Sequence, residues 1–397
     1  MKSDRSGIDE TAFHRSLITV DAHIDIRDGF NSIYGDAGEE TIDQFDLPKL
    51  RRGGLDVAVV SLFVDPMERT EANIAKANKI LKKKHSALRQ FVESHSDELG
   101  FVRSSEEITQ NREDGKVSIL LSTLNALPFG ENLAAFEDYF DKGVRIFGFV
   151  HAQNTPFADS SRPATEFGDV LGESGGITDL GEDAIRLINR LGAIVDVAQM
   201  TTEAVLQAVE ISEAPVIASH SAPRSRVDAL RNTSNEELIK IAKAGGVIHV
   251  VPFSPWIKGS SIHREHYYGQ IFKPVGLPSP FDPTAVQLDP AKVLNDDELK
   301  AYTMAYLSFS RNTWRYSDLD DYIDAIQTVV NVAGIDHVGI GSDFNHGGGV
   351  YGFANVGEAP NVTERLLRRG FSKSDVAKIW GQNFLRVLGD VEQHAGR

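Results

Sequence analysis

Ser16–Ile26 reads SLITVDAHIDI, an apolar run that ends in Asp21-Ala22-His23-Ile24-Asp25. Residues i and i+2 of a strand face the same side. His23 and Asp25 therefore project together, an imidazole beside a carboxylate, from the C-terminal end of a buried strand. In barrel enzymes that end carries the chemistry. The stretch reads as the first strand of a parallel barrel with part of a metal site already on it.

Similar runs recur along the chain: Leu17–Asp21, Leu55–Val64, Lys116–Thr123, Val144–Val150, Ala193–Ala198, Ala214–Ser219, Gly246–Phe253 and His337–Phe344. Amphipathic stretches at helical spacing separate them, among them Asn73–Ser94, Asn132–Asp141, Glu182–Leu191, Thr202–Glu210, Asn235–Lys243 and Leu319–Val332. Eight near-continuous apolar strands alternating with helices predict an α/β fold, a (β/α)8 TIM-type barrel. A doubly wound open sheet is the alternative, but no GxGxxG follows the first strand. The expected organisation is one barrel domain over residues 1–397, with Lys373–Leu388 packing back on it as a final helix. One segment, Ser254–Ser317, breaks the alternation and contains FSPWIKGSSIHREHYYGQIFKPVGLPSPFDP. An insertion of that length after the seventh barrel strand is expected either to lie over the catalytic face or to form a dimer contact.

Composition narrows the partners. The formal charge of −16 argues against a nucleic-acid partner. With no cysteine, disulfides, thiolate ligands and a Cys nucleophile are excluded. No run approaches the ~18 apolar residues of a membrane span, and MKSDRSGIDETAFHR has no apolar h-region. The expectation is a cytoplasmic protein without a membrane partner, although a trimmed secretory precursor would read the same. A homodimer is the expected assembly.

On a barrel, polar residues at the C-terminal ends of strands are the functional candidates. Strand one supplies His23 and Asp25, strand four His151 (FGFVHAQN), strand six His220 (PVIASHSAPR) and strand eight Asp343 (VGIGSDFNHGG). Imidazole and carboxylate suit zinc, iron or manganese, and Asp343 is placed to act as general base. His249, mid-strand in VIHVV, reads as core. Gly347-Gly348-Gly349 reads as a flexible turn.

These residues resemble the membrane (renal) dipeptidase family of the amidohydrolase superfamily. The resemblance covers nearly the whole chain: DAHID, LPKLRRGGLD (Leu47–Asp56), HAQNTPFADSS, APVIASHS, LRN, HVGIGSDF and WGQNFLRVL each resemble a family block, in order. It implies a metallo-dependent barrel with a binuclear zinc centre that cleaves dipeptides, including some with a C-terminal D-residue. It further implies that His23 and Asp25 hold the first metal and that His220 is a ligand of the second. His151 would polarise the scissile carbonyl, Arg231 bind the substrate carboxylate, and Asp343 handle the proton and the substrate's amino group.

Two positions depart from that pattern. The glutamate that bridges the metals falls in SILLSTLNALPFGENL, at Leu124 in an ungapped alignment and at Ser122 in a gapped one. The histidine of DLSH or DVSH becomes Gln199 in Asp196-Val197-Ala198-Gln199. A bridging carboxylate offsets the repulsion of two cations roughly 3.5–4 Å apart. Its loss predicts one divalent ion, zinc by its donors, or an empty site. Asp343-Phe344-Asn345 also departs from the common GSDFDG. The leading expectation is therefore a dipeptidase-like metallohydrolase acting on a dipeptide or related small amide with a reduced centre. The alternatives are a diverged enzyme tailoring a peptide-derived metabolite, or a non-catalytic binding protein of the same fold.

Overall fold

Each apolar run folds as a short parallel strand in a computed structural model that describes residues 9–27, 29–31, 36–258, 268–278, 293–310 and 317–395. In chain order the strands are β1 (Val20–Asp25), β2 (Val57–Leu62), β3 (Leu99–Val102), β4 (Val117–Thr123), β5 (Val144–Gly148), β6 (Ile194–Asp196), β7 (Ile217–Ser221), β8 (Val247–Val250) and β9 (Val338–Ile340). Eight of them follow one another around a barrel, β1-β2-β4-β5-β6-β7-β8-β9, all parallel. The ring is joined where Asp25 N donates to Phe344 O at 3.0 Å and Asp343 N to His23 O at 2.9 Å. Both bonds lie at the mouth, so barrel closure itself brings the DAHID and SDF segments together.

Strand β3 is a ninth strand that the apolar pattern does not announce. Its four residues pair with Val117–Leu120 of β4, on the edge that β5 takes over from Leu121 onward. The stagger of neighbouring barrel strands leaves that lower edge open, and β3 covers it.

The first strand also runs further than the expected Leu17–Asp21, continuing through His23 to Asp25. Val20 and Ala22 pack in a cluster drawn from β1 through β8 that fills the barrel interior and extends to Val102 and Ile108, whereas Ile24 and Ile26 pack in the larger outer cluster. A register shift between Asp21 and Ile24 accounts for the switch. It turns His23 and Asp25 to the inner face above the apolar layer.

Helix boundaries follow local chemistry. Asn235–Lys243 starts at a capping box in which Ser234 Oγ accepts from Glu237 N and Glu237 bonds back to Ser234 N. Leu319–Ala333 has the same device with Asp318 and Asp321. Asp179–Leu191 ends at Gly192, whose φ of 74° is the left-handed C-cap conformation. The expected closing helix Lys373–Leu388 is instead Lys373–Ala377, a π turn Lys378–Gln382 and Asn383–Ala395. A side chain at Gly381 would meet Ile18 O at 2.2 Å, so only glycine permits this approach. Phe384, Val387, Leu388 and Val391 then seal the bottom of the barrel interior. No helix among the described residues is long and apolar enough to cross a membrane. Within Ser254–Ser317 the described residues form the helical pieces Ser254–Ile257, Tyr268–Phe272, Lys273–Val275 and Asp296–Ser310. Its expected placement over the mouth rests largely on residues outside the described set.

Candidate active site

The mouth gathers every polar residue singled out from the strand ends. His23 and Asp25 lie on β1, His151 just beyond β5, His220 in β7, Arg231 in the loop after β7 and Asp343 beyond β9, and all are buried. His23 Nε2 stands 3.6 Å from Asp25 Oδ2 and 3.9 Å from Asp343 Oδ1. The His23 and His220 rings stack at 3.8 Å with 17° between their planes. Arg231 donates through Nη2 to His220 O at 2.7 Å, and its Nη1 is buried with no hydrogen-bond partner among the described residues.

Two further residues complete the cluster, and neither stood out in the sequence. His346, immediately before the glycine turn Gly347–Gly349, places Nδ1 2.8 Å from Asp25 Oδ2. Its ring lies 4.6 Å from Phe63 and 4.8 Å from His151. Arg162, in the loop after β5, donates through Nη2 to Gln199 Oε1 at 2.5 Å and lies 3.3 Å from His151 Nε2. The spacing Asp343-x-x-His346 was the one available clue to His346; Arg162 had none.

The two positions read from the sequence as departures, 124 and 199, are both buried. Leu124 follows β4, is 1% exposed, and belongs to none of the apolar clusters of the described residues. Ser122 is also buried, with its hydroxyl unpartnered among the described residues. Neither supplies a carboxylate. Gln199 sits at φ 68°, a left-handed conformation rare for a side-chain-bearing residue. Its Oε1 is taken by Arg162, which turns Nε2 to donate to His220 Nε2 at 2.9 Å. An amide thus caps His220 Nε2.

Burial and charge set the protonation states. Burial pushes His220 well below the ordinary imidazole range, and the neighbouring His23 adds to it. His151 is likewise held well below that range by burial, then by His346 and Arg162. Burial alone would lower His23, but Asp25, Asp343 and Asp196 outweigh it and hold the ring above its usual value. Asp25 is depressed because His23 and His346 overcome its burial. Asp343 is raised by burial and by Asp25. Burial, then the Arg162 charge, lowers Arg231 to about 9.

The donor set fits a divalent cation. His23, His220 and Asp343 bring ligand atoms within 4.8 Å of one another, as do Asp25, Asp343 and His346. His23 Nε2 and Asp25 Oδ1 are buried without hydrogen-bond partners among the described residues. Orphaned polar atoms so deep in a protein are costly unless a ligand takes them.

A parallel barrel whose mouth holds converging imidazoles and carboxylates is the architecture of the metal-dependent amidohydrolases. Within that class, the membrane dipeptidase family (peptidase family M19) is matched over residues 9–397, and the chain belongs to it. A solved structure, the probable dipeptidase PvdM from Pseudomonas aeruginosa, is 34% identical with a TM-score of 0.86, covering 97% of this chain and 98% of that one. Dipeptidase tcpJ of Claviceps purpurea is 26% identical over 312 residues, 78% of this chain. The match spans 59% of that relative's length. A metallo peptidase from Rhodobacter sphaeroides, liganded with a phosphinate mimic of the dipeptide L-Ala-D-Ala, shares the fold at 17% identity and a TM-score of 0.72, with 94% of this chain and 99% of that one covered.

Proposed function

We propose that this protein hydrolyses dipeptides, or closely related small amides, with one divalent ion held by His23 and Asp25 and completed by Asp343 or His220. Carrying the reading are two buried polar atoms without hydrogen-bond partners among the described residues, His23 Nε2 and Asp25 Oδ1, with Asp343 Oδ1 3.9 Å from the first. An ion there, zinc by its donors, supplies Lewis acidity and a water activated near neutral pH.

The chain's own groups support the remaining steps. Arg162 beside His151 Nε2 makes that nitrogen the acceptor, which leaves the proton on Nδ1. His151 Nδ1 is buried and unpartnered among the described residues, a neutral donor suited to a scissile carbonyl oxygen. Arg231 Nη1 is a second orphaned donor, and its planar fork suits a free C-terminal carboxylate. Asp343, raised by its burial, takes the proton from the attacking water and returns it to the leaving amine.

The test is amino-acid release from a dipeptide panel that includes L-Ala-L-Ala and L-Ala-D-Ala, with zinc or manganese supplied. Turnover is expected that a chelator abolishes and that Asp343→Asn lowers by roughly 10²–10⁴-fold. Fully metal-loaded wild type that releases nothing from any member of the panel would overturn the reading.

A further inference from the structure

We infer that His346 is a direct ligand of this metal and that the chain has moved its coordination from the Gln199 side of the mouth to the β9 side. The inference rests on the metal-bearing reading above and names a residue that the family pattern does not supply.

Geometry comes first. Asp25, Asp343 and His346 hold ligand atoms within 4.8 Å of one another, and Asp343 is shared with the His23 group. The resulting set is two imidazoles, His23 and His346, and two carboxylates, Asp25 and Asp343. Such N/O donors are what zinc, iron(II) and manganese accept. By contrast, His220 Nε2 already accepts from Gln199.

The backbone is built to deliver His346. Asp343 and Asn345 both take left-handed conformations, with φ of 56° and 68°. Residues so strained persist only where their surroundings enforce it. Asn345 is clamped on three sides: its N donates to Gln44 Oε1 and its Oδ1 accepts from Gln44 N, both at 2.8 Å, while Nδ2 donates to Asp25 O at 2.9 Å. A carboxylate at 345, as in the common GSDFDG, has no hydrogen to give Asp25 O. The amide at 345 therefore ties the His346 turn to the β1 ligand strand. Phe63 and His151 then flank the ring. Without metal ligation, His346 would be an imidazole that only orients Asp25.

Cobalt(II) titration of the full chain, followed by calorimetry and by the visible d–d bands, separates the two roles. Wild type is expected to bind one equivalent. His346→Asn should bind at least tenfold more weakly with altered bands, and imidazole added to His346→Gly should restore the wild-type bands. Unchanged affinity and bands in His346→Asn would overturn the assignment and leave the metal-bearing reading intact. A wild type that binds no cobalt would overturn both. Should the variants fail to fold, zinc-edge fine structure of wild type and of His220→Gln gives the answer. Two imidazoles in both are expected, and a single imidazole in His220→Gln would overturn the assignment.

Discussion

Gln199 donates its amide N–H to His220 Nε2 at 2.9 Å, with its own Oε1 held by Arg162. At the position where the resemblance implies a histidine ligand, this chain has an amide that makes a hydrogen bond. The nitrogen of His220 that would face a second cation is satisfied from within the protein, and the Arg162 cation stands behind the amide. Leu124 and Gln199 are the two positions on which the proposed single-ion reading turns.

Leu124→Glu combined with Gln199→His should therefore add a second equivalent of bound metal and raise dipeptide hydrolysis above wild type, since a second ion adds activated water and carbonyl polarisation. Wild-type turnover is expected to be weak. The single change Leu124→Glu should instead destabilise the fold, because it buries a carboxylate without a partner. Metal analysis and thermal unfolding of wild type and the two variants check this. A double variant that binds two ions yet stays inert would show that the pocket has diverged in its substrate.

Arg231→Ala should raise KM for dipeptides with a free carboxylate by roughly 10–100-fold, the loss of a charge-assisted pair. C-terminally amidated analogues should be affected far less. Equal losses on both substrates would remove Arg231 from carboxylate binding.

His249 lies fully buried on β8, donates Nδ1–H to Ala218 O at 3.1 Å and packs against Phe384. Burial lowers its pKa to about 4. The unfolded chain takes up a proton near 6.5 that the folded chain refuses, so the stability contribution is complete above pH 6.5 and lost as pH falls toward 4. The loss amounts to about 3 kcal/mol. Urea unfolding at pH 7, 5.5 and 4.5 should show a shallower decline in His249→Leu than in wild type. Parallel declines would contradict it.

Gly348→Ala should disable the mouth while leaving the rest of the barrel folded. The added Cβ would lie 1.8 Å from Ser342 O and 2.9 Å from the Asp343 backbone. Relieving that overlap must move Asp343, at a cost of at least ~2 kcal/mol. Metal affinity should fall with near-native far-UV circular dichroism. Native affinity would show that the turn can adjust.

The barrel was legible because each of its eight strands is an apolar run long enough to register, and closure puts their C-terminal ends together. Strand β3 escaped because LGFV is short and serves an edge that exists only once β4 and β5 are staggered. The candidate ligands were legible one strand at a time, through His23-x-Asp25, His220 and Asp343. His346 and Arg162 were not, because what marks them is a contact made by folding: His346 meets Asp25 across 321 positions and Arg162 meets Gln199 across 37. No local periodicity encodes such pairs. That positions 124 and 199 hold no carboxylate or imidazole is plain in the sequence, while the amide cap on His220 needed the side-chain geometry.

Anomalous diffraction at the zinc edge, from crystals of the zinc-loaded full chain, tests the central claim most directly, because it counts the ions and locates them. The account predicts one peak, among His23, Asp25, Asp343 and His346, and no second peak on His220 and Gln199. Two peaks a few ångströms apart, the second on His220, would contradict it, as would no peak at all.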